Sequence, residues 1–131
     1  MIRSQDFRRI KVLKRILIVD DEIDITAPLK LGLARLGYQV DTYNLPDEAL
    51  SHFKRDMYDI VILDIRMPKM NGFQLYRELR KKDEKVKIWF LTAFEVYLEE
   101  FNRMFPDVDV KRFLRKPIGI SELVTRIEDS E

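Results

Sequence analysis

The chain of 131 residues has no cysteine. That absence excludes a disulfide scaffold, a thiolate zinc site and a cysteine nucleophile. Histidine is nearly as scarce. His52 stands alone, so no histidine cluster can hold zinc. Charge of one sign is lacking as well: the formal net charge is +1, which gives no overall argument for nucleic acid. The longest apolar runs are far too short to cross a bilayer. No apolar h-region follows the charged N-terminus, as a signal peptide would require. Together these absences set the cytoplasm as the expected location, with no membrane contact. Internal repeats and low-complexity segments are also missing.

What is present fits one domain with a real core, since 46% of the residues are hydrophobic. Residues 1–13 read as a basic N-terminal leader, a solvated arm or short helix, in which Arg3, Arg8, Arg9 and Lys11 outweigh Asp6. From residue 14 to 131 strands and helices alternate. Ile16-Leu17-Ile18-Val19 and Ile60-Val61-Ile62-Leu63 are β-branched runs too short for helices, suited to strands buried on both faces of a parallel sheet. Val40 to Tyr43 is more polar and suits an edge. Lys87 to Leu91 and Arg112 to Arg115 complete a set of five strands.

Between the strands, helical spacing joins Ile25, Leu29, Leu33 and Leu36. Gly32 on that face allows a close approach to the sheet, and Gly37 closes the helix. Pro28 is tolerable there only in or near the first turn. Pro46 opens a second helix with Asp47 and Glu48 at its positive end. His52 on that helix is expected to be a solvated surface residue. Gly72 starts a third helix with Phe73, Leu75, Tyr76 and Leu79 inward and a basic tail from Arg80 to Lys82. Phe94, Tyr97, Leu98, Phe101 and Phe105 outline an aromatic fourth helix, and Ile120, Leu123, Val124 and Ile127 a short fifth. Five alternations predict a parallel sheet covered on both faces.

Polar residues collect where the strands run out. Asp20 and Asp21 follow the first strand, Asp64 the third, Thr92 the fourth and Lys116 the fifth. In a parallel sheet these ends share one edge, where ligands bind. Asp64 taken alone is either a loop aspartate bonded to nearby backbone or a nucleophile or metal ligand. In company the balance shifts. Three converging carboxylates call for a hard divalent cation, and Mg²⁺ suits carboxylates, a phosphoryl oxygen and water. Thr92 adds a hydroxyl donor and Lys116 a compact positive charge. This is equipment for phosphoryl transfer to a carboxylate.

The order Asp20-Asp21, Asp64 with Met67-Pro68 and Gly72, Thr92-Ala93 and Lys116-Pro117 closely resembles the receiver domain of two-component response regulators. The resemblance implies a flavodoxin-like α/β fold, a doubly wound five-stranded parallel sheet in the order 2-1-3-4-5 with five helices. It implies that Asp64 is the phospho-acceptor, with Asp20, Asp21, Asp64 and the backbone carbonyl of Arg66 around Mg²⁺. Thr92 and Lys116 then assist the chemistry, while Thr92 and Phe113 form the switch. The Lys116-Pro117 peptide is expected to be cis. The implied partners are a sensor histidine kinase and a downstream protein or second copy, held on the face of the fourth helix, fifth strand and fifth helix. Direct nucleic-acid binding by this domain is not implied. Such a domain is a switch that catalyses its own phosphorylation and dephosphorylation rather than a conventional enzyme.

Three features depart from the common family pattern. Phe105 to Val110 replaces a Gly/Ala-rich turn, Phe113 lacks the hydroxyl of the more usual tyrosine, and Arg66 puts a cation near the phosphate entrance. A docking module that works without phosphorylation is the rival reading, against which the intact set of five residues weighs. A haloacid-dehalogenase-like phosphatase would want an acid two residues after the nucleophile, where this chain has Arg66.

Overall fold

Hydrophobic alternation along each strand sorts the core into two layers. The computed structural model describes residues 14–93, 103–104, 106 and 112–129. Five strands, β1 (Arg15–Val19), β2 (Gln39–Tyr43), β3 (Ile60–Asp64), β4 (Lys87–Thr92) and β5 (Phe113–Arg115), form one parallel sheet in the order β2-β1-β3-β4-β5. Edge placement of the polar strand β2 and the 2-1-3-4-5 order agree with the sequence reading.

Odd-numbered residues of β1 and β3, Leu17, Val19, Val61 and Leu63, and, in β4's opposite phase, Ile88 and Phe90, pack with α2 (Pro46–His52) and α3 (Gly72–Lys82). Ile16, Ile18, Ile60, Ile62, Trp89 and Leu91 pack instead with α1 (Ile23–Arg35) and α4 (Ile120–Asp129). The central strands β1, β3 and β4 are therefore apolar on both faces, as a sheet covered by helices requires.

Local chemistry sets the helix ends. Gly37 adopts φ 96° and donates to the carbonyl of Ala34 at 2.9 Å, while Tyr38 donates to Leu33 at 3.2 Å, a Schellman closure of α1. Asn71 caps α3: its side chain accepts from Gln74 N, and Gln74 Oε1 accepts from Asn71 N, both at 2.9 Å.

Two expectations need correction. Pro28 lies inside α1, beyond the first turn. It is exposed, and so is Asp24, the residue whose carbonyl an N–H at position 28 would otherwise meet. Gly32 serves helix packing rather than the sheet: a Cβ there would lie 2.6 Å from Ile120 of α4. The described residues contain four of the expected helices, and the expected fourth falls outside them. The aromatic segment 94–105 lies outside them apart from Arg103 and Met104, both helical. The leader 1–13, Tyr97, Phe101 and Phe105 likewise lie outside the described residues. Among those described, no helix is long and apolar enough to cross a membrane.

Candidate functional site

Buried strands deliver the charged groups to one edge. Burial of Ile16 to Val19 fixes the end of β1 and carries Asp20 inside with 0% exposure. Asp64 is the last residue of β3 and pairs in register with Leu91, one residue before Thr92. Lys116 follows β5, and its backbone N–H donates to the Thr92 carbonyl at 2.8 Å. The Lys116-Pro117 peptide is cis, as expected. Gly72 must lack a side chain because a Cβ there would strike the carbonyl oxygen of Asp64.

The side chains meet tightly. Lys116 Nζ lies 2.7 Å from Asp20 Oδ2, 3.4 Å from Asp64 Oδ1 and 3.8 Å from Glu22 Oε1. Asp20 Oδ1 accepts the N–H of Glu22 at 2.9 Å. Carboxylate oxygens of Asp20, Asp21 and Asp64 all lie within 4.8 Å of one another. One ammonium thus serves a group of acids that outnumber it. Burial pushes the Asp64 carboxyl up to about 7, the Asp20 charge pushes the same way, and Lys116 offsets only part of this. Burial would lower the Lys116 pKa, but its contacts with Asp20 and Asp64 outweigh that effect and raise it.

This arrangement suits a hard cation. All the donors are carboxylate oxygens, and their mutual repulsion is under-compensated. Asp20 Oδ2 is buried, with the Lys116 ammonium at 2.7 Å and no other hydrogen-bond donor found for it among the described residues. Mg²⁺ matches such a donor set.

Other sequence-expected residues stand at different places. Thr92 is buried at the same edge. Arg66 is exposed on the loop beyond Asp64. Phe113 stacks on Phe90 with ring centroids 5.4 Å apart and planes at 26°. Phe90 in turn contacts Phe73 and Tyr76 of α3 at 5.1 and 5.7 Å. His52 is exposed, stacked on Tyr43 at 5.4 Å, and belongs to the surface as expected. Asn44, a half-buried amide just after β2, was not singled out by the sequence. It donates to the backbone carbonyl of Asp20 at 2.8 Å and to Thr26 Oγ1 at 3.1 Å. Its only sequence signal is a lone amide directly after an edge strand.

Comparison with known proteins gives a consistent set of matches. The chain is 38% identical over 114 residues to a probable transcriptional regulator, ycf27, of Guillardia theta, covering 87% of this chain and 44% of that protein. It therefore spans about half the length of that curated relative. Response regulator TrrA of Thermotoga maritima, solved with Mg²⁺ and a beryllium fluoride, is 36% identical with a TM-score of 0.71, covering 89% of this chain and 98% of that one. A structure of TrrA in complex with the histidine kinase ThkA gives a TM-score of 0.70 at 36% identity, covering 89% and 97%. The family model of the response regulator receiver domain matches residues 16–128. Sheet order, acidic edge and matched span lead to one assignment: the chain belongs to the response regulator receiver domains.

Proposed function

We propose that this domain accepts a phosphoryl group from a sensor histidine kinase onto Asp64, in a reaction that needs Mg²⁺, and switches its output surface in response. The observation that carries the proposal is the Asp64 carboxylate, buried at the end of β3 with Asp20, Asp21 and Lys116 converging on it. An oxygen of that carboxylate attacks the phosphorus of a phosphohistidine. The P–N bond breaks, its electron pair stays on the imidazole nitrogen, and an acyl phosphate forms. Lys116, shared between Asp20 and Asp64, is positioned to turn to the incoming phosphoryl oxygens and neutralise their charge. Asp20, Asp21, Asp64 and the carbonyl of Arg66 would hold the cation, which when bound adds positive charge that keeps Asp64 ionised and balances the phosphoryl group. The Thr92 hydroxyl, at the end of the adjacent strand, supplies a hydrogen bond to the phosphorylated state.

The switch follows from packing. Movement of Thr92 toward the phosphoryl group changes the space beside β5, where Phe113 stacks on Phe90. Rotation of Phe113 then alters the face of β5 and α4, which, with the fourth helix expected from the sequence, we assign to a downstream protein or a second copy. One local charge thereby biases a two-state element. Residues 14–131 form the receiver in this reading and residues 1–13 a basic leader.

Mixing the protein with acetyl phosphate and Mg²⁺ and measuring intact mass tests the proposal. One added phosphoryl group is expected, absent without Mg²⁺. An unmodified mass under conditions that label a known receiver would overturn it.

A further inference from the structure

Three acids that must point at one cation need their backbone held against mutual repulsion. Asp20 has both main-chain groups tied to the end of β2. Its N–H donates to the Tyr43 carbonyl at 3.1 Å, and its C=O accepts from Asn44 Nδ2 at 2.8 Å. Asn44 Nδ2 also donates to Thr26 Oγ1 at 3.1 Å, and Thr26 is buried in the opening turns of α1. The Thr26 hydroxyl lies 3.5 Å from the Ile23 carbonyl, which completes a chain of bonds from β2 into that helix. A single amide therefore joins three segments: the tail of β1, the tail of β2 and the start of α1. The acidic turn Asp20-Asp21-Glu22 is suspended between two of these anchor points.

We propose that Asn44 is a positioning residue for the divalent cation. It acts through the carbonyl of Asp20 and the hydroxyl of Thr26, and touches neither the cation nor the phosphoryl group. The inference rests on the proposed Mg²⁺ site. With Asn44 in place, Asp20 Oδ1 faces the Glu22 N–H at 2.9 Å, which leaves Oδ2 directed at Lys116. Without the amide, the Asp20 carbonyl loses its donor and the turn can relax away from Asp64, as like charges favour. Outer partners of this kind orient the groups that bind the metal, and their loss weakens affinity though no ligand is removed.

Charge and geometry predict opposite results for one substitution. Asn44→Asp adds a negative charge beside the acidic group, so a purely electrostatic role requires tighter Mg²⁺ binding. The positioning role requires weaker binding, because a carboxylate cannot donate to the Asp20 carbonyl and repels it. Backbone amide NMR shifts of Asp20, Asp21 and Glu22, followed through an Mg²⁺ titration, read the affinity without any phosphodonor. Both Asn44→Ala and Asn44→Asp are expected to weaken binding about tenfold. Amide shifts in β3 and β4 should stay at their wild-type positions. Should Asn44→Ala fail to fold, the isosteric Asn44→Asp decides alone. Wild-type affinity in the variants, or tighter binding in Asn44→Asp, overturns the inference while leaving the Mg²⁺ site standing. A wild-type chain that binds no Mg²⁺ overturns both.

Discussion

Two aspartates at opposite edges of the sheet are equally hidden, each 4% exposed, yet their acidities move in opposite directions. At the carboxyl edge, burial and the Asp20 charge push Asp64 up to about 7. At the amino edge, burial would raise Asp83 too, but the N–H groups of Lys85, Asp56 and Val86 outweigh it and hold Asp83 below the usual range. Those three donors lie at 2.9, 3.1 and 3.2 Å. Low exposure therefore does not by itself decide the state of a carboxylate; the depth of burial, neighbouring charges and preorganised donors decide it together. Asp83 is a closed structural knot joining the end of α3, the start of β4 and the turn at Asp56. Asp64 sits in a cluster where acids outnumber their one ammonium, a charge imbalance that favours a bound cation. Perturbed carboxylates of this second kind mark functional sites.

Substitutions should break this contrast cleanly. Asp64→Asn is expected to abolish the phosphoryl adduct entirely under acetyl phosphate and Mg²⁺, with the fold intact by circular dichroism. An equally labelled Asn variant would remove Asp64 as acceptor. Next in size, Asp21→Ala should lose at least about tenfold in Mg²⁺ affinity, because one of very few carboxylate ligands disappears. The same change is expected to raise metal-free stability, since it relieves repulsion in the acidic group. Identical Mg²⁺ titrations would count against it. Asp83→Ala should leave labelling unchanged and cost about 2 kcal/mol in urea unfolding, because buried N–H groups lose their acceptor. A loss of labelling without a loss of stability would reverse the assignment of the two edges.

Much of this contrast was legible in the sequence at one edge and little at the other. Runs such as Ile60 to Leu63 announce a doubly buried strand, so the place where Asp64 emerges follows from hydrophobic pattern alone. Asp20 and Lys116 are legible for the same reason. Asp83 carries no such mark: it follows a basic helix tail, and its three donors come from a local turn and from Asp56, distant in sequence. Backbone donors have no sequence signature. Asn44 is silent for a related reason, since its bonds to Asp20 and Thr26 exist only once β1 and β2 are paired. Gly32 was legible as a close contact, but its partner was not, because Ile120 is brought to it by the packing of α4 on α1.

The smallest expected effect is also the most direct comparison of the two carboxylates, because it sets their pH dependences against each other. Without divalent cations, folded Asp64 holds its proton up to about 7, while an unfolded aspartate releases it near 3.8. Between those values the folded state binds more protons than the unfolded one, so stability falls as pH rises across that window. Above it the penalty is complete; below it there is none. Asp83 behaves in the opposite sense. Its folded carboxyl is the stronger acid, so its contribution is present above the unfolded value and lost only as pH falls through the folded one. From pH 5 to 8 Asp83 is therefore constant, and the slope belongs to Asp64. Urea midpoints measured across that range without Mg²⁺ should show the wild type losing on the order of 1 kcal/mol relative to Asp64→Asn. Saturating Mg²⁺ should flatten the wild-type profile, because a bound cation favours the ionised carboxylate that burial opposes. Parallel profiles for wild type and Asp64→Asn without Mg²⁺ would mean that Asp64 is as well compensated as Asp83, and the contrast between the two edges would fail.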